Sequence, residues 1–289
     1  MIPASELLLT SDGSIYHLRL KPHQLAEDII LVGDPDRVEV VASFFDSIEF
    51  AQKNREFNTI TGFYKGQAIS VISTGIGIGN VDIVLNELDA LANIDFEKRY
   101  VREDKKALNL VRIGTSGALQ SDIPIGSYIL SNQAIGFDGL MNFLENRNAV
   151  CDLEMEEDFL NHFPELRKIV LPYAVDGSSL LLEKLKNPDI HQGITVTAPG
   201  FYGSQGRVLR MDLAMPGFND KLEHYAYRGQ KITNYEMETS ALYGYSKLLG
   251  HEAATICLAL ANRVGKEVLK EYKNKMMQLI EYTLNGLVR

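Results

Sequence analysis

Short, continuously apolar runs alternate along the chain with longer stretches in which apolar residues recur every three or four positions. Strands that are buried on both faces look continuously apolar, whereas helices that cover a sheet show a 3.6-residue period. The pattern predicts strands at 28–33, 57–64, 67–74, 108–114, 126–135, 193–198, 231–234 and 252–261. It predicts helices at 35–45, 80–93, 153–163, 178–186, 235–249 and 265–286, with Gly250 as a left-handed cap of the fifth.

This alternation favours an α/β fold, with a central mixed and twisted β-sheet flanked by helices. No repeat, linker or low-complexity tract divides the pattern. A chain of 289 residues can bury one large core. We therefore expect a single domain over residues 1–289.

Composition narrows the classes of function. A formal charge of −9 and the lack of a basic stripe disfavour binding to nucleic acids and to anionic membranes. No apolar run approaches the roughly 18 residues of a membrane span, and no leader precedes Ile2, so a cytoplasmic protein is expected. Cys151 and Cys257 lack metal-ligand spacing and are predicted to be reduced thiols.

Glycine-rich turns follow several of the predicted strands. GDPDR (33–37), TGIGIGN (74–80) and GTSG (114–117) each begin where an apolar run stops. Ligands of α/β proteins bind at the carboxyl ends of the strands. The clustering therefore indicates one composite pocket.

Arg37 falls in the first turn of a helix that Asp34 caps and Pro35 begins. A cation at this position opposes the helix dipole, so a compensating negative charge is expected. An anion bound between the free N–H groups and Arg37 would supply it. An ion pair with Asp34 or Glu39 is the alternative, and this segment alone does not decide between them.

Arg112 lies late in an otherwise apolar strand and is followed by Gly114, two hydroxyl residues and Gly117. A turn of this composition can offer successive N–H groups to an anion. An exposed position on an edge strand is the alternative for Arg112. Flanking valine and isoleucine favour burial, and a buried charge requires a partner, so we favour an anion site.

NYEMETSAL (234–242) is predicted to begin a helix, with Asn234 as the N-cap. Glu236 and Glu238 would then complement the dipole of the first turn. Residues two apart on a helix point to different faces, so at most one of the two glutamates is expected to bind a ligand. An ionised carboxylate suits a vicinal diol, because each hydroxyl can donate to one oxygen.

A carboxamide and a guanidinium stand two positions apart in APGFYGSQGRV (198–208). Gln205 and Arg207, with Phe201 nearby, suit a flat polar ring that bears donors and acceptors. Ordinary solvated loop residues are the alternative.

Together these segments resemble the nucleoside phosphorylases, and within them the uridine-specific members. The resemblance runs in order from about residue 15 to residue 263, through YHL, GDPDR, NREF, STGIG, RIGTSGAL, FYGSQGR, NYEMETS and ANR. It implies the fold of that family and the phosphorolysis of a pyrimidine nucleoside. Uridine and phosphate would give uracil and α-D-ribose 1-phosphate.

The resemblance also implies roles for individual residues. The phosphate site would comprise Gly33, Arg37, Arg55, Arg112 and Thr115; the ribose site would comprise His17, Thr115, Met237 and Glu238; and the base site would comprise Phe201, Gln205 and Arg207. Phosphate would attack the anomeric carbon while Gln205 and Arg207 stabilise the departing uracil, so that Arg112, Gln205, Arg207 and Glu238 form the catalytic set.

Inorganic phosphate would be the co-substrate, with no cofactor. Glu56 and Ser73 match positions that hold a potassium ion between subunits in some members, but ordinary structural roles are favoured for both, and a structural potassium ion is the alternative. His17 and Arg55 resemble residues that reach into a neighbouring subunit's site, which implies homodimers, and dimers stacked into a ring of six are the common arrangement. The segment after Arg263 is shorter than usual and is expected to run directly into the last helix.

Three other functions remain open at this point. A hydrolytic nucleosidase of the same fold would have no need of phosphate-binding arginines. A purine nucleoside phosphorylase generally places an aspartate near N7 of the base, and none follows NYEMETS. A non-catalytic nucleoside-binding protein would keep the fold without turnover.

Overall fold

Strands and helices alternate along the computed structural model, which describes residues 1–289. The strands are β1 (Asp28–Val32), β2 (Ser47–Asn54), β3 (Phe57–Tyr64), β4 (Gln67–Ser73), β5 (Ile94–Asp95), β6 (Tyr100–Val101), β7 (Asn109–Ala118), β8 (Tyr128–Gly136), β9 (Tyr173–Asp176), β10 (His191–Thr197), β11 (Ala226–Tyr227), β12 (Gln230–Glu236), β13 (Glu252–Asn262) and β14 (Glu267–Val268). The helices are α1 (Pro35–Ala42), α2 (Ile78–Asn93), α3 (Leu153–His162), α4 (Ser179–Leu185), α5 (Phe218–His224), α6 (Thr239–Leu249) and α7 (Lys273–Leu287).

Twelve strands form one mixed sheet in the order β11-β12-β10-β8-β13-β7-β1-β4-β3-β2, with β9 added to β8 and β14 added to β13. Strands β5 and β6 form a separate two-stranded sheet. The central mixed sheet predicted from the hydrophobic pattern is therefore confirmed.

The sheet closes on itself at one end. Strand β12 pairs in parallel with β10 and also pairs antiparallel with the end of β7, through Asn234 opposite Ala118 and Tyr235 opposite Gly117. Strands β7, β13, β8, β10 and β12 thus form a closed ring. This closure, which the sequence did not predict, sets the carboxyl end of β12 against the carboxyl end of β7.

Helices cover both faces of the sheet, and alternate residues of β1 pack into the two hydrophobic cores on opposite faces. Ile29 and Leu31 pack into a core with residues of α2 and α6, whereas Ile30 and Val32 pack into a second core with residues of α1, α4 and α7. A third core joins α3 and α5 to the closed end of the sheet. Because β1 is buried on both faces, the loop that starts at Gly33 begins from a well-packed position at the carboxyl ends of the central strands.

Several predicted elements differ from the structure in their boundaries or in their type. The helix predicted from residue 235 begins at Thr239, because residues up to Glu236 continue β12 and pair with β10. Asn234 is therefore a buried strand residue that accepts hydrogen bonds from Thr195 and Thr233, and it is no N-cap. The glycine-rich segment 114–117 is likewise no turn, since β7 continues through it in register with β13.

The last helix begins at Lys273, eight residues later than predicted. The segment that follows Arg263 turns back first, and β14 pairs antiparallel with the end of β13. Edge strand β2 was missed altogether, because its residues are mostly exposed and its composition is polar. A strand that buries little of its surface leaves little trace in a hydrophobic pattern.

Both cysteines are free thiols, as expected. Burial raises the pKa of Cys151 to about 11 and that of Cys257 to about 12, so both stay protonated at neutral pH. None of the seven helices combines the length and the apolar character needed to cross a membrane.

Candidate active site

A cavity of about 1260 Å³ opens at the carboxyl ends of β1, β4, β7, β12 and β13. Most of the predicted site residues line it, namely Gly33, Arg37, Glu56, Arg112, Thr115, Phe201, Gln205, Arg207, Met237 and Glu238. The predicted composite pocket therefore exists in the structure. His17, Arg55 and Ser73 do not line it.

Arg112 is buried in the middle of the sheet, where β7 runs between β1 and β13. Its side chain lies along the strand over Gly114, where a Cβ atom would collide with the guanidinium. Glycine at position 114 is therefore what leaves room for the charged group. Arg112 is no exposed edge residue, and the alternative considered from the sequence is wrong.

Two carboxylates meet this guanidinium. Nη2 of Arg112 donates to Glu238, and Nη1 lies 4.0 Å from an oxygen of Glu236. Burial opposes the charge on Arg112, but the attraction of Glu238 and Glu236 outweighs it and raises the pKa of Arg112. Burial raises the pKa of Glu238, and the neighbouring Arg112 opposes that change.

Glu236 and Glu238 converge because neither lies within a helix. Glu236 ends β12, where its carboxylate accepts from the N–H groups of Glu238 and Thr239 and from the hydroxyl of Thr197. Glu238 accepts from the N–H of Gly77 at 2.7 Å. The expectation that the two glutamates point to different faces is wrong, because α6 begins only after them.

Arg37 stands beside Arg112 without a carboxylate partner. Its Nη1 donates to the carbonyl oxygen of Ile113 at 3.3 Å, and it makes no ion pair. Burial lowers the pKa of Arg37, and the positive charge of Arg112 lowers it further. The predicted alternative of an ion pair with Asp34 or Glu39 is therefore wrong.

This end of the cavity holds unsatisfied donors. Nε and Nη1 of Arg112 and the hydroxyl of Ser116 are buried without a hydrogen-bond partner. Strand β1 ends opposite Ile113 and β12 joins β7 only at Gly117, so the intervening edge of β7 has no strand partner. Such a concentration of donors beside two cations suits an anion.

The opposite end of the cavity is built by the loop that contains Phe201, Gln205 and Arg207. The guanidinium of Arg207 stacks over the Phe201 ring at 3.8 Å from its centroid and donates to Gln205 Oε1 at 2.6 Å. Gln205 is only 3% exposed. Gln205 is therefore no solvated loop residue, and its contacts with Arg207 tie it to the half-exposed Phe201 in one cluster.

Arg263, which was not predicted as a site residue, completes this cluster. Its Nη2 donates to the carbonyl oxygen of Gln205 at 3.1 Å, while Nη1 is buried without a partner. A Cβ on Gly117 would lie 3.4 Å from the Arg263 side chain and 4.0 Å from Arg207. Burial lowers the pKa of Arg207, and the charge of Arg263 lowers it further.

The signal for Arg263 was its position directly after the apolar strand β13. Asn262 fixes the turn there, because its carboxamide donates to the carbonyl oxygens of Gln120 and Ile123 and accepts from the N–H groups of Val264 and Gly265. Glu236 and Ser116 lie in segments that the sequence singled out, but neither was predicted as a site residue. Both enter the cavity only through the ring closure between β12 and β7.

His17 and Arg55 lie together on the surface, outside the cavity. Arg55 occupies the turn between β2 and β3 with φ of 55° and is exposed. Its Cζ lies 5.9 Å from the centroid of the Tyr16 ring, and the His17 ring meets that ring edge-on at 4.9 Å. This chain's own cavity therefore gains nothing from either residue.

Ser73 is fully buried in the hairpin, and its hydroxyl donates to the carbonyl oxygen of Glu56 and accepts from the N–H of Asn58. Since both hydrogen bonds of this hydroxyl go to backbone groups of the hairpin, Ser73 stabilises the hairpin. The alternative of a potassium site at Glu56 and Ser73 gains no support from this geometry.

Known proteins resemble this chain over most of its length. A profile of the phosphorylase superfamily matches residues 27–286. The uridine phosphorylase of Thermococcus kodakarensis is 32% identical over 266 residues, which cover 89% of this chain and 81% of that protein. A DeoD-type purine nucleoside phosphorylase of Listeria monocytogenes is 27% identical over 241 residues, covering 83% of this chain and 84% of that protein.

Solved structures agree with these matches. A Trypanosoma brucei nucleoside phosphorylase, described as showing uridine phosphorylase activity, superposes with a TM-score of 0.89 at 30% identity, covering 98% of this chain and 99% of that one. A uridine phosphorylase of Phytophthora capsici has the same fold, with a TM-score of 0.75 at 22% identity over 99% and 98% of the two chains. The resemblance inferred from the motifs is confirmed, and the chain belongs to the phosphorylase superfamily.

Proposed function

We propose that this protein catalyses the phosphorolysis of uridine to uracil and α-D-ribose 1-phosphate. The observation that carries the proposal is one cavity with an anion end at Arg37 and Arg112 and a base end at Gln205, Arg207 and Arg263. Along β7 the two ends lie against Gly114 and Gly117, which are about 10 Å apart at about 3.3 Å per residue. That spacing suits a phosphate and a base on either side of a ribose.

At the anion end, Arg37 and Arg112 hold inorganic phosphate, the co-substrate, with the help of Thr115 and the loop at Gly33. The unpartnered Nε and Nη1 of Arg112 supply donors for phosphate oxygens without requiring the ion pair with Glu238 to break. A phosphate oxygen then attacks the anomeric carbon from the face opposite the base. Holding both reactants in line accounts for much of the rate enhancement of such a reaction.

Between the two ends, Glu238 and Met237 cradle the ribose. The carboxylate of Glu238 is fixed by Arg112 and by the N–H of Gly77, so its remaining lone pairs can accept from the 2′- and 3′-hydroxyls. Glu236 does not need to touch the sugar. It holds the start of α6, and with it the backbone of Glu238.

At the base end, the bond between the anomeric carbon and N1 breaks and its electron pair goes to uracil. Arg207 and Gln205 donate to the uracil carbonyl groups and stabilise that negative charge, and the second cation at Arg263 strengthens the field. Two guanidinium groups favour a leaving base that becomes an anion. They disfavour a purine that must be protonated at N7, which argues against the purine nucleoside alternative.

The decisive test is the release of uracil from uridine with and without inorganic phosphate, followed by the change in ultraviolet absorbance. We expect turnover only with phosphate, and ribose 1-phosphate as the second product. Because Arg37 and Arg112 would be superfluous for attack by water, release at the same rate without phosphate would identify a hydrolytic nucleosidase instead. Binding of uridine without turnover in either condition would identify a non-catalytic nucleoside-binding protein.

A further part of the proposal is that each site is completed by a second copy of the chain. His17 and Arg55 lie side by side on the surface, Arg55 lacks an ion-pair partner, and neither lines the cavity of its own chain. In a two-fold dimer the same surface of each subunit faces the other, so both residues can enter the neighbour's cavity. There His17 would reach the 5′-hydroxyl and Arg55 would reach phosphate. Stacking of such dimers would give the hexamer.

Co-expression of two inactive variants tests this arrangement. When Arg55→Ala and Arg112→Lys are combined, a mixed dimer has one site with both arginines intact and one site that lacks both. Random pairing should then restore about a quarter of the parent's sites and activity. Arg37→Ala combined with Arg112→Lys is the matched control, because no site of that mixture is intact. If both mixtures are equally inactive, Arg55 acts within its own chain or not at all.

A further inference from the structure

The carboxylate of Glu87, on α2, is engaged entirely by His17 and the residue after it. Its Oε1 lies 2.7 Å from Nδ1 of the His17 ring and accepts from the His17 N–H at 3.0 Å. Its Oε2 accepts from the same N–H at 3.1 Å and from the Leu18 N–H at 2.8 Å. The Glu87 side chain is only 12% exposed. A carboxylate this buried needs such donors, and all of them come from one loop.

Other contacts hold the His17 ring in the same orientation. The ring packs edge-on against Tyr16 and, at 6.2 Å between centroids, against Phe57. The carbonyl oxygen of His17 accepts from Asn54 Nδ2 at 2.7 Å. The side chain remains 23% exposed, and its exposed part lies on the surface that holds Arg55.

We propose that Glu87 is a positioning residue that fixes His17 in the tautomer with the proton on Nδ1. This inference rests on the proposed function, in which His17 meets the 5′-hydroxyl of the nucleoside in the neighbour's site. A carboxylate accepts hydrogen bonds only, so the imidazole nitrogen that faces Glu87 must carry the proton. Nε2 is left as an acceptor, and it points a lone pair at the hydroxyl that it would bind.

Glu87→Gln inverts this tautomer without removing the support of the loop. Oε2 of Glu87 accepts from the N–H groups of His17 and Leu18, whereas Oε1 accepts from the His17 N–H and faces Nδ1. With the amide oxygen of glutamine in the place of Oε2, the NH₂ group faces Nδ1 and donates to it, so Nδ1 must accept and the proton moves to Nε2. The variant thus keeps the shape of the side chain and both backbone bonds of Oε2, and gives up only the bond from the His17 N–H to Oε1.

The tautomer is measured directly on the intact protein labelled with ¹⁵N-histidine. Two-bond ¹⁵N–¹H spectra distinguish a protonated from an unprotonated ring nitrogen, and His17→Ala assigns the His17 signals among the six histidines. We expect the proton on Nδ1 in the parent and on Nε2 in Glu87→Gln. A proton on Nε2 in the parent, or an unchanged tautomer in the variant, would overturn the proposal.

Steady-state kinetics then test whether the tautomer of His17 affects binding of the 5′-hydroxyl of the nucleoside. Glu87→Gln should raise the KM for uridine several-fold, up to about tenfold, because Nε2 can no longer accept from the 5′-hydroxyl and the hydrogen bond must reverse its direction. It should leave the KM for 5′-deoxyuridine unchanged, because that substrate lacks the hydroxyl. In a background of His17→Ala the same substitution should have no further effect. Glu97→Gln, in an exposed turn, is the matched control.

An equal loss with both nucleosides would mean that Glu87 has a merely structural role and would overturn the proposal. A parent with no phosphorolytic activity would instead overturn the proposed function. The NMR comparison would still decide the tautomer in that case, so the two failures remain distinguishable.

Discussion

Replacing Arg112 by lysine is expected to lower kcat/KM for phosphate by about 100-fold or more, equivalent to about 3 kcal/mol of lost transition-state stabilisation. Lysine keeps a positive charge beside Glu238 but loses the planar fork that can serve the carboxylate and a phosphate oxygen together. The KM for uridine should change much less than that for phosphate. Initial rates with phosphate varied at saturating uridine, and the reverse, measure the two effects.

Lysine is the informative substitution at this position. Alanine would leave Glu236 and Glu238 buried without a countercharge, at a cost to stability of about 3–5 kcal/mol, and loss of activity could then reflect unfolding. Arg37→Ala provides a second test at the anion end of the cavity, because Arg37 has no carboxylate partner that its removal would leave unpaired. Arg167→Lys, on the exposed surface, is the control. Phosphate kinetics within a few-fold of the parent in both Arg112→Lys and Arg37→Ala would contradict the assignment of the anion end.

Replacing Arg207 or Gln205 by alanine is expected to lower kcat with uridine by about 10²–10³-fold, the range seen when one preorganised donor to a developing negative charge is removed. The KM for phosphate should stay within about threefold of the parent value, because the loop contacts only the base end. Steady-state kinetics with each substrate varied in turn separate the two parameters.

A more acidic leaving base sharpens this test. The fluorine of 5-fluorouridine stabilises the departing anion without help from the protein, so both variants should lose less activity with it than with uridine. Arg210→Ala is the matched control, because Arg210 lies on the same loop but is exposed and does not line the cavity. An equal loss with the two nucleosides would mean that Arg207 and Gln205 bind the base without stabilising its charge.

The strands that could be predicted from the sequence are those that bury both faces. Strands β1, β3, β4 and β13 appear as apolar runs and were predicted within one or two residues. Two of the failures share a cause, since a long-range contact overrides a local signal in each. Gly114 to Gly117 have the composition of a turn but pair with β13, and Asn234 has the side chain of an N-cap but pairs with β10.

The residues of the candidate site also fall into two groups, those that local sequence identified and those that only long-range contacts bring together. Arg37 and Arg112 stand near glycines at the ends of strands, so local chemistry was enough to single them out as anion ligands. The convergence of Glu236 and Glu238 on one guanidinium could not be predicted, because it depends on where α6 begins. Arg263 depends on the pairing that brings β13 beside Gly117. Both depend on contacts between segments that are far apart in the sequence, which no local pattern encodes.

The position of each strand in the sheet also determines how readily the backbone around each site residue opens locally. Strand β7 has β13 along one edge and β1 and β12 along the other, so the opening of its backbone requires several ladders to break together. Thermal fraying of a sheet begins at its outermost strands, and β2, whose hairpin tip carries Arg55, is such a strand. Amide hydrogens around Arg112 should therefore exchange with solvent far more slowly than those near Arg55. Arg112 thus lies on the most firmly held strand of the sheet, whereas Arg55, which is proposed to act in a neighbour's site, lies at the tip of an edge hairpin.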